Sequence, residues 1–172
     1  EILGYEAKYL GNAAVVRGET LIETLEGKPA QSTPGTVDIT RSKNEIRAGD
    51  RLLPAPEQQY LSYAPHAPST AVNAAVVSIY GDSVGVNAAQ NQVIAINKGA
   101  QNGMDIGTVL ELISKGNVIV DKPSASRDCV KLPDEQNGYA MVFKVFDRVS
   151  YALITTAQRP VNIGDGLQSP QN

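Results

Sequence analysis

Apolar and polar residues alternate with a period of two along most of this chain, and Gly, Pro, Asn and Asp break the runs. That is the pattern of half-buried strands joined by turns. YEAKYLGNAAVV, from Tyr5 to Val16, alternates around a central Gly-Asn and predicts a long strand with a bulge, or a hairpin. In GTVDITRS, Gly35 to Ser42, Val37 and Ile39 fall on one face. NAAVVSIYG (Asn73 to Gly81), NQVIAIN (Asn91 to Asn97) and GTVLELI (Gly107 to Ile113) predict three further strands. The strongest hairpin signal is YAMVFKVF, the turn pair Asp147-Arg148, then VSYALITTA, with Tyr139, Met141, Phe143 and Val145 on one face. Stripes at i, i+3, i+4 are nearly absent. The expectation is an all-β fold of small SH3-like β-barrels with hairpins and few or no long helices.

Two departures from alternation suggest how the chain is divided. APEQQYLSYAPHAPST, Ala55 to Thr70, carries Pro56, Pro65 and Pro68 and no apolar period, so it reads as an extended linker. The expected organisation is a β segment or small β-unit over 1–54, a proline-rich linker over 55–71, and a barrel domain over 72–172. Within the last, Ser114 to Gly138 reads as a polar, irregular excursion.

One motif is written twice. IRAGDRLLP (Ile46 to Pro54) and VNIGDGLQSP (Val161 to Pro170) share an aliphatic, two residues, Gly-Asp, one residue and Leu. MDIGTVLEL (Met104 to Leu112) is a looser third version with Thr108 in place of the Asp. Gly49, Gly107 and Gly164 suit turns that need positive φ, and Asp50 and Asp165 suit the capping of nearby amides. The repeat predicts structural turns, each followed by a Leu that re-enters a core, and not a phosphate cradle.

Composition narrows the function classes. Of 172 residues 42% are hydrophobic and 5% aromatic, with no Trp, so a core must be built from Val, Ile, Leu and Ala. The net charge of -3 offers no basic footprint for nucleic acid. No apolar run approaches the roughly 20 residues of a membrane-spanning helix. No signal-type segment stands at Glu1, so the chain is expected to be mature or cut from a longer precursor. Cys129 is the single cysteine, which excludes an internal disulfide; it reads as a small, half-buried loop residue.

Candidate chemistry is sparse. GDSVG, Gly81 to Gly85, matches the G-x-S-x-G nucleophile elbow around Ser83. An elbow needs a following helix and a later histidine, but another strand pattern follows, and the only histidine, His66, precedes it. A hairpin tip is the better reading of Ser83. His66 has no Cys or His beside it to share a metal and reads as an exposed linker residue. Asp134 and Glu135 read as a solvated turn whose carboxylates point apart. Tyr60 and Tyr63, aromatics among prolines, serve either as docking residues for a partner or pack back onto the domain. No cofactor or metal is expected.

Four segments, GYEAKYLGNAAVVRGE, EIRAGDRLLPAP, VIAINKGAQNGMDIGTVLEL and MVFKVFDRVSYALI…RPVNIGDGL, together resemble the carboxy-terminal region of the type IV pilus secretin-associated protein family (TsaP). Members of that family pair an amino-terminal LysM module with a domain similar to the carboxy-terminal domain of the flagellar protein FlgT. The resemblance covers nearly the whole chain, although no LysM pattern is present in it. It implies a non-enzymatic accessory protein of the periplasm that binds and braces the outer-membrane secretin, as part of a ring or homo-oligomer. Peptidoglycan would be reached through the LysM module. The competing expectations are a carbohydrate-binding barrel acting on the cell wall, weakened by the lack of Trp, and a serine hydrolase at Ser83, weakened by the missing base.

Overall fold

The alternating segments form strands, and no α-helix occurs among the described residues. A computed structural model describes residues 2–22, 31–55, 63–81, 87–120 and 129–170, which divide into two units: Glu6–Gln59, and Tyr60–Asn172 together with Glu1–Tyr5.

The smaller unit contains β1 (Gly11–Arg17), β2 (Thr20–Ile22), β3 (Gln31–Thr33) and β4 (Thr36–Ser42). They pair as two antiparallel ribbons, β1 with β4 and β2 with β3. Of the Tyr5 to Val16 pattern only the part from Gly11 onward is strand, with register shifts at Asn12/Ala13 and Val15/Arg17. Ala13 lies across from Ile39 and Val15 across from Val37, so these four share one face. That face stays open to solvent, with Val15 75% and Ile39 56% exposed.

The larger unit contains β5 (Asn73–Tyr80), β6 (Asn87–Ala88), β7 (Val93–Ile96), β8 (Val109–Ser114), β9 (Val118–Val120), β10 (Cys129–Lys131), β11 (Glu135–Val145), β12 (Ser150–Ala157), β13 (Val161–Asn162) and β14 (Gly166–Gln168). Six of these close a barrel in the order β11-β12-β7-β5-β14-β8, every neighbour antiparallel. The Asp147-Arg148 turn forms as expected, with the Phe146 N–H donating to the Val149 carbonyl at 2.8 Å. A 3-10 turn, Ala100–Asn102, packs on it through Ala100 N–H to Phe146 O at 2.8 Å. Gly99 permits that approach, since a Cβ there would strike the 146–148 backbone.

The Gly-Asp motif proves to be a clamp. Asn162–Asp165 is a turn closed by Asp165 N–H to Asn162 O at 3.1 Å, with Gly164 at φ 94° and the Asp165 carboxylate accepting from Asn162 N–H at 2.7 Å. Gly164 N–H then donates to Val76 O (2.8 Å), and Val76 N–H donates to Asp165 O (3.0 Å). Asp105–Thr108 repeats this: Gly107 has φ 99°, Gly107 N–H donates to Val142 O, and Val142 N–H donates to Thr108 O, both at 2.8 Å. Here the side chains exchange roles, and the Thr108 hydroxyl donates to the Asp105 carboxylate. A further copy is Ala89–Gln92, with Asn91 at φ 65°, the Gln92 amide oxygen accepting from Ala89 N–H, and Ile154 held between Asn91 N–H and Gln92 O. Nothing in AQNQ advertises kinship with a Gly-Asp turn. Asn tolerates positive φ, and the Gln side chain reaches the amide that Asp165 reaches.

Each barrel clamp is flanked by core residues: Ala88 and Ile94, Met104 and Leu110, Val161 and Leu167. With the clamped Val76, Val142 and Ile154 they make nine of the fifteen residues of the core cluster. In the smaller unit the Arg47–Asp50 turn forms too, with Gly49 at φ 104° and the Asp50 carboxylate accepting from Arg47 N–H at 2.7 Å. Leu52 does not re-enter a core, however; it is 67% exposed, because no residue of Glu6–Gln59 contributes to the core cluster among the described residues.

Other expectations need correcting. Val145 leaves the face of Met141 and Phe143 and packs toward the core, because a bulge between Val142 and Lys144 reverses the alternation. Cys129 is exposed and on a strand, β10, which pairs with β9 inside the segment read as irregular. The far end of the proline-rich segment is attached to the barrel: His66 forms a parallel bridge with Thr108. Ser83 and Tyr60 lie outside the described residues.

Placing a Cβ at Gly164 meets nothing within 4 Å, so Gly164→Ala should cost only the left-handed backbone strain, about 1–2 kcal/mol. At Gly107 the Cβ would also meet the Ala64 carbonyl and the His66 ring. Gly107→Ala should therefore lower the urea midpoint more than Gly164→Ala; equal midpoints would contradict the close approach.

Candidate functional site

One wall of the barrel carries an unusual share of the chain's rings. The bulge at Val142/Lys144 makes Phe143 the extra residue, so Phe143 and Lys144 both face outward. A second bulge, between Val76 and Ser78 on β5, turns Ile79 toward the core and leaves Tyr80 outward. Between them stands Tyr151 of β12. Its ring centroid lies 5.7 Å from Tyr80, 6.4 Å from Phe143 in a stacked pair, and 5.6 Å from Phe146 edge-on. The Lys144 ammonium sits 5.3 Å from the Phe146 centroid, within cation–π range. Half-buried Met141, Leu153 and Val93 continue the patch across β11, β12 and β7. Tyr80 and Phe146 at its rim are 39% and 44% exposed. Both phenylalanines of this Trp-free chain are in this patch. The sequence concealed it, because the single-face reading of the hairpin did not include the bulges that gather the rings.

The singled-out polar residues make structural contacts. His66 Nδ1 lies 2.9 Å from the Ala64 carbonyl, and Nε2 lies 3.0 and 3.1 Å from the two Asp105 oxygens. Thr108, His66 and Asp105 thus meet, but with the carboxylate in the middle. The buried Thr108 hydroxyl gives its proton to the Asp105 carboxylate, and so does not offer it to the imidazole on the other side of that carboxylate. The Ala64 carbonyl first, then Asp105, raise the His66 pKa above its ordinary value. The Thr108 hydroxyl chiefly, and His66 next, lower that of Asp105. Asp134 accepts from Gly116 N–H at 3.0 Å and pairs with Lys131 at 3.2 Å. Glu135 turns away to pair with Arg159. Tyr63 is 41% exposed. Gly49, Asp50, Gly107, Gly164 and Asp165 all sit in the turns described above.

An open cleft of about 330 Å³ lies beside the Glu135–Arg159 pair, lined also by Asn87, Lys115, Asn117 and Asn162. Its Arg159 corner is held by buried Asn137, whose amide accepts from Arg159 N–H at 2.7 Å and donates to Arg159 O at 3.0 Å. Among the described residues no three His, Cys, Asp or Glu are grouped to hold a metal ion, and no helix is long and apolar enough to cross a membrane. Comparison of the chain with protein-family models, curated proteins and solved structures finds no match.

Tyr151, at the centre of three ring contacts, should be the wall's main support. Truncating a buried aromatic costs ~3–5 kcal/mol, so half-buried Tyr151→Ala should cost about 2 kcal/mol. Tyr80→Ala at the rim should cost less than about 1 kcal/mol. Denaturant melts of the two variants check the order, which the reverse ranking would refute.

Proposed function

We propose that this chain is a non-enzymatic, periplasmic β-barrel scaffold that docks on the outer-membrane secretin of the type IV pilus machinery through the aromatic wall around Tyr151. The wall is the observation that carries the docking part of the reading. Rings displayed beside Met141 and Leu153, with a cation over one of them, are the residue types that dominate protein interfaces. The identity of the partner rests on the resemblance to secretin-associated proteins. Contact with peptidoglycan would belong to the LysM module of that family, which has no counterpart within these 172 residues. A ring of copies around the secretin would repeat the same contact. Tyr63 is a second, smaller docking candidate.

The same rings favour one competing reading, a carbohydrate-binding barrel, because sugars also stack on aromatic faces. Phe143 and Tyr151 are stacked side by side at an interplanar angle of 18°, a geometry a glycan could use. For a hydrolase at Ser83 there is no comparable support, since His66 is occupied by Ala64 and Asp105.

Two assays on the same purified chain separate these readings: co-purification with the outer-membrane secretin, and sedimentation with isolated peptidoglycan sacculi. The expected result is retention by the secretin alone. The double variant Tyr80→Ser, Phe146→Ser should weaken it about tenfold or more, as loss of interface anchors does. Sedimentation with sacculi would favour the glycan reading, and retention unaffected by the double variant would remove the aromatic wall from the interface.

A further inference from the structure

His66 is the only histidine of the chain, and both its ring nitrogens face acceptors, the Ala64 carbonyl and the Asp105 carboxylate. A neutral imidazole carries a single N–H and must turn a lone pair toward one of them; the imidazolium satisfies both. The same residue joins the backbone to the barrel. Its N–H donates to Gly107 O at 3.1 Å, and its carbonyl accepts from Val109 N–H at 2.8 Å. On that side β14 pairs only with Glu111, Leu112 and Ile113 of β8, so His66 covers the stretch of β8 edge that β14 does not reach.

We propose that residues 63–68 are a proton-sensitive strap, closed over the first residues of β8 while His66 is an imidazolium and released when it is neutral. Release frees the Gly107 carbonyl and the Val109 amide, a short edge able to accept another strand. Among the described residues the ring has one charged partner, Asp105. Asp105 comes from the clamp turn, whose Gly107 and Thr108 are uncharged, and the strap contributes only the Tyr63 phenol among Ala64, Pro65, Ala67 and Pro68.

The sign follows from the two shifts. His66, raised by the Ala64 carbonyl and then Asp105, adds stability that is complete below about pH 6.5 and is lost as pH rises through its folded pKa. Asp105, lowered chiefly by Thr108, adds stability present above about pH 4 and lost as pH falls through its folded pKa. The strap is therefore held most firmly between about pH 4 and 6.5 and loosens on the alkaline side. The ring is 41% exposed, so solvent screens the pair, and the effect is local to the strap.

Histidine ring resonances and amide exchange in the whole chain test this. The His66 Cε1–H titration should have its midpoint above about 6.5, and Asp105→Asn, which keeps an acceptor for Thr108, should lower it. Protection of the Val109 amide, corrected for intrinsic base catalysis, should fall several-fold as pH rises through that midpoint. In His66→Gln it should be independent of pH over the same range. A wild-type midpoint at or below 6.5, or Val109 protection that does not follow the titration, overturns the strap. Should Asp105→Asn fail to fold, the wild-type titration and His66→Gln still decide.

Discussion

The barrel depends on one backbone arrangement used three times: a turn whose third residue has positive φ offers an N–H and the next carbonyl to a buried strand residue. Each clamp sits where a ladder stops. β5 pairs with β14 as far as Ala75, β11 with β8 as far as Met141, and β12 with β7 as far as Leu153. The next residues, Val76, Val142 and Ile154, are the clamped ones. Without the turns each would present an unpaired N–H and C=O to an apolar interior, at about 1–3 kcal/mol per group. The clamps close the ends of ladders that bending would otherwise leave open, and in doing so carry their flanking aliphatics inward.

Closing a barrel bends its strands, and the bulges that accompany the bending set the outer surface as well. On β11 the shift at Val142/Lys144 turns Val145 inward and puts Phe143, Lys144 and Phe146 around Tyr151. On β5 the shift at Val76/Ser78 does the same for Ile79 and Tyr80. Core packing and the aromatic wall are thus coupled, since the bulges that fill the interior also bring the rings outward. The clamp turn at Asp105–Thr108 has a similar double use: it holds Val142 within and His66 without.

The smaller unit shows what the turn does where the described residues contribute nothing to a core cluster. Arg47–Asp50 has the same closing bond and positive φ, at Gly49, as the barrel copies, and the same carboxylate cap as Asn162–Asp165. Yet Leu52 remains exposed, and Val15, Val37 and Ile39 line a ribbon face without cover among the described residues. Two-stranded ribbons are marginal in water by themselves. The turn is a local structure that forms from its own residues, whereas burial of the Leu after it requires opposing strands.

The sequence by itself determined what is local. Period-two alternation places β5, β7, β8 and β12 within a residue or two of their bounds, and β11 from its fifth residue, Tyr139, onward, because side chains of a half-buried strand must alternate. Gly-Asp marks two of the four turns and Gly-Thr a third, because positive φ excludes most residues and, in the two Gly-Asp turns, a short carboxylate is suited to the amide three positions back. Tertiary structure decided the rest. It made AQNQ a clamp, because the grip on Ile154 compensates for an Asn at positive φ. It moved Val145 inward and gathered the rings around Tyr151, because bulges answer the closure of the barrel and leave no mark in the alternation. It turned His66 from a residue of a proline-rich segment into a partner of Asp105, 39 positions away, because hydrogen bonds between distant segments depend on how strands are arranged around the barrel, which no local pattern records.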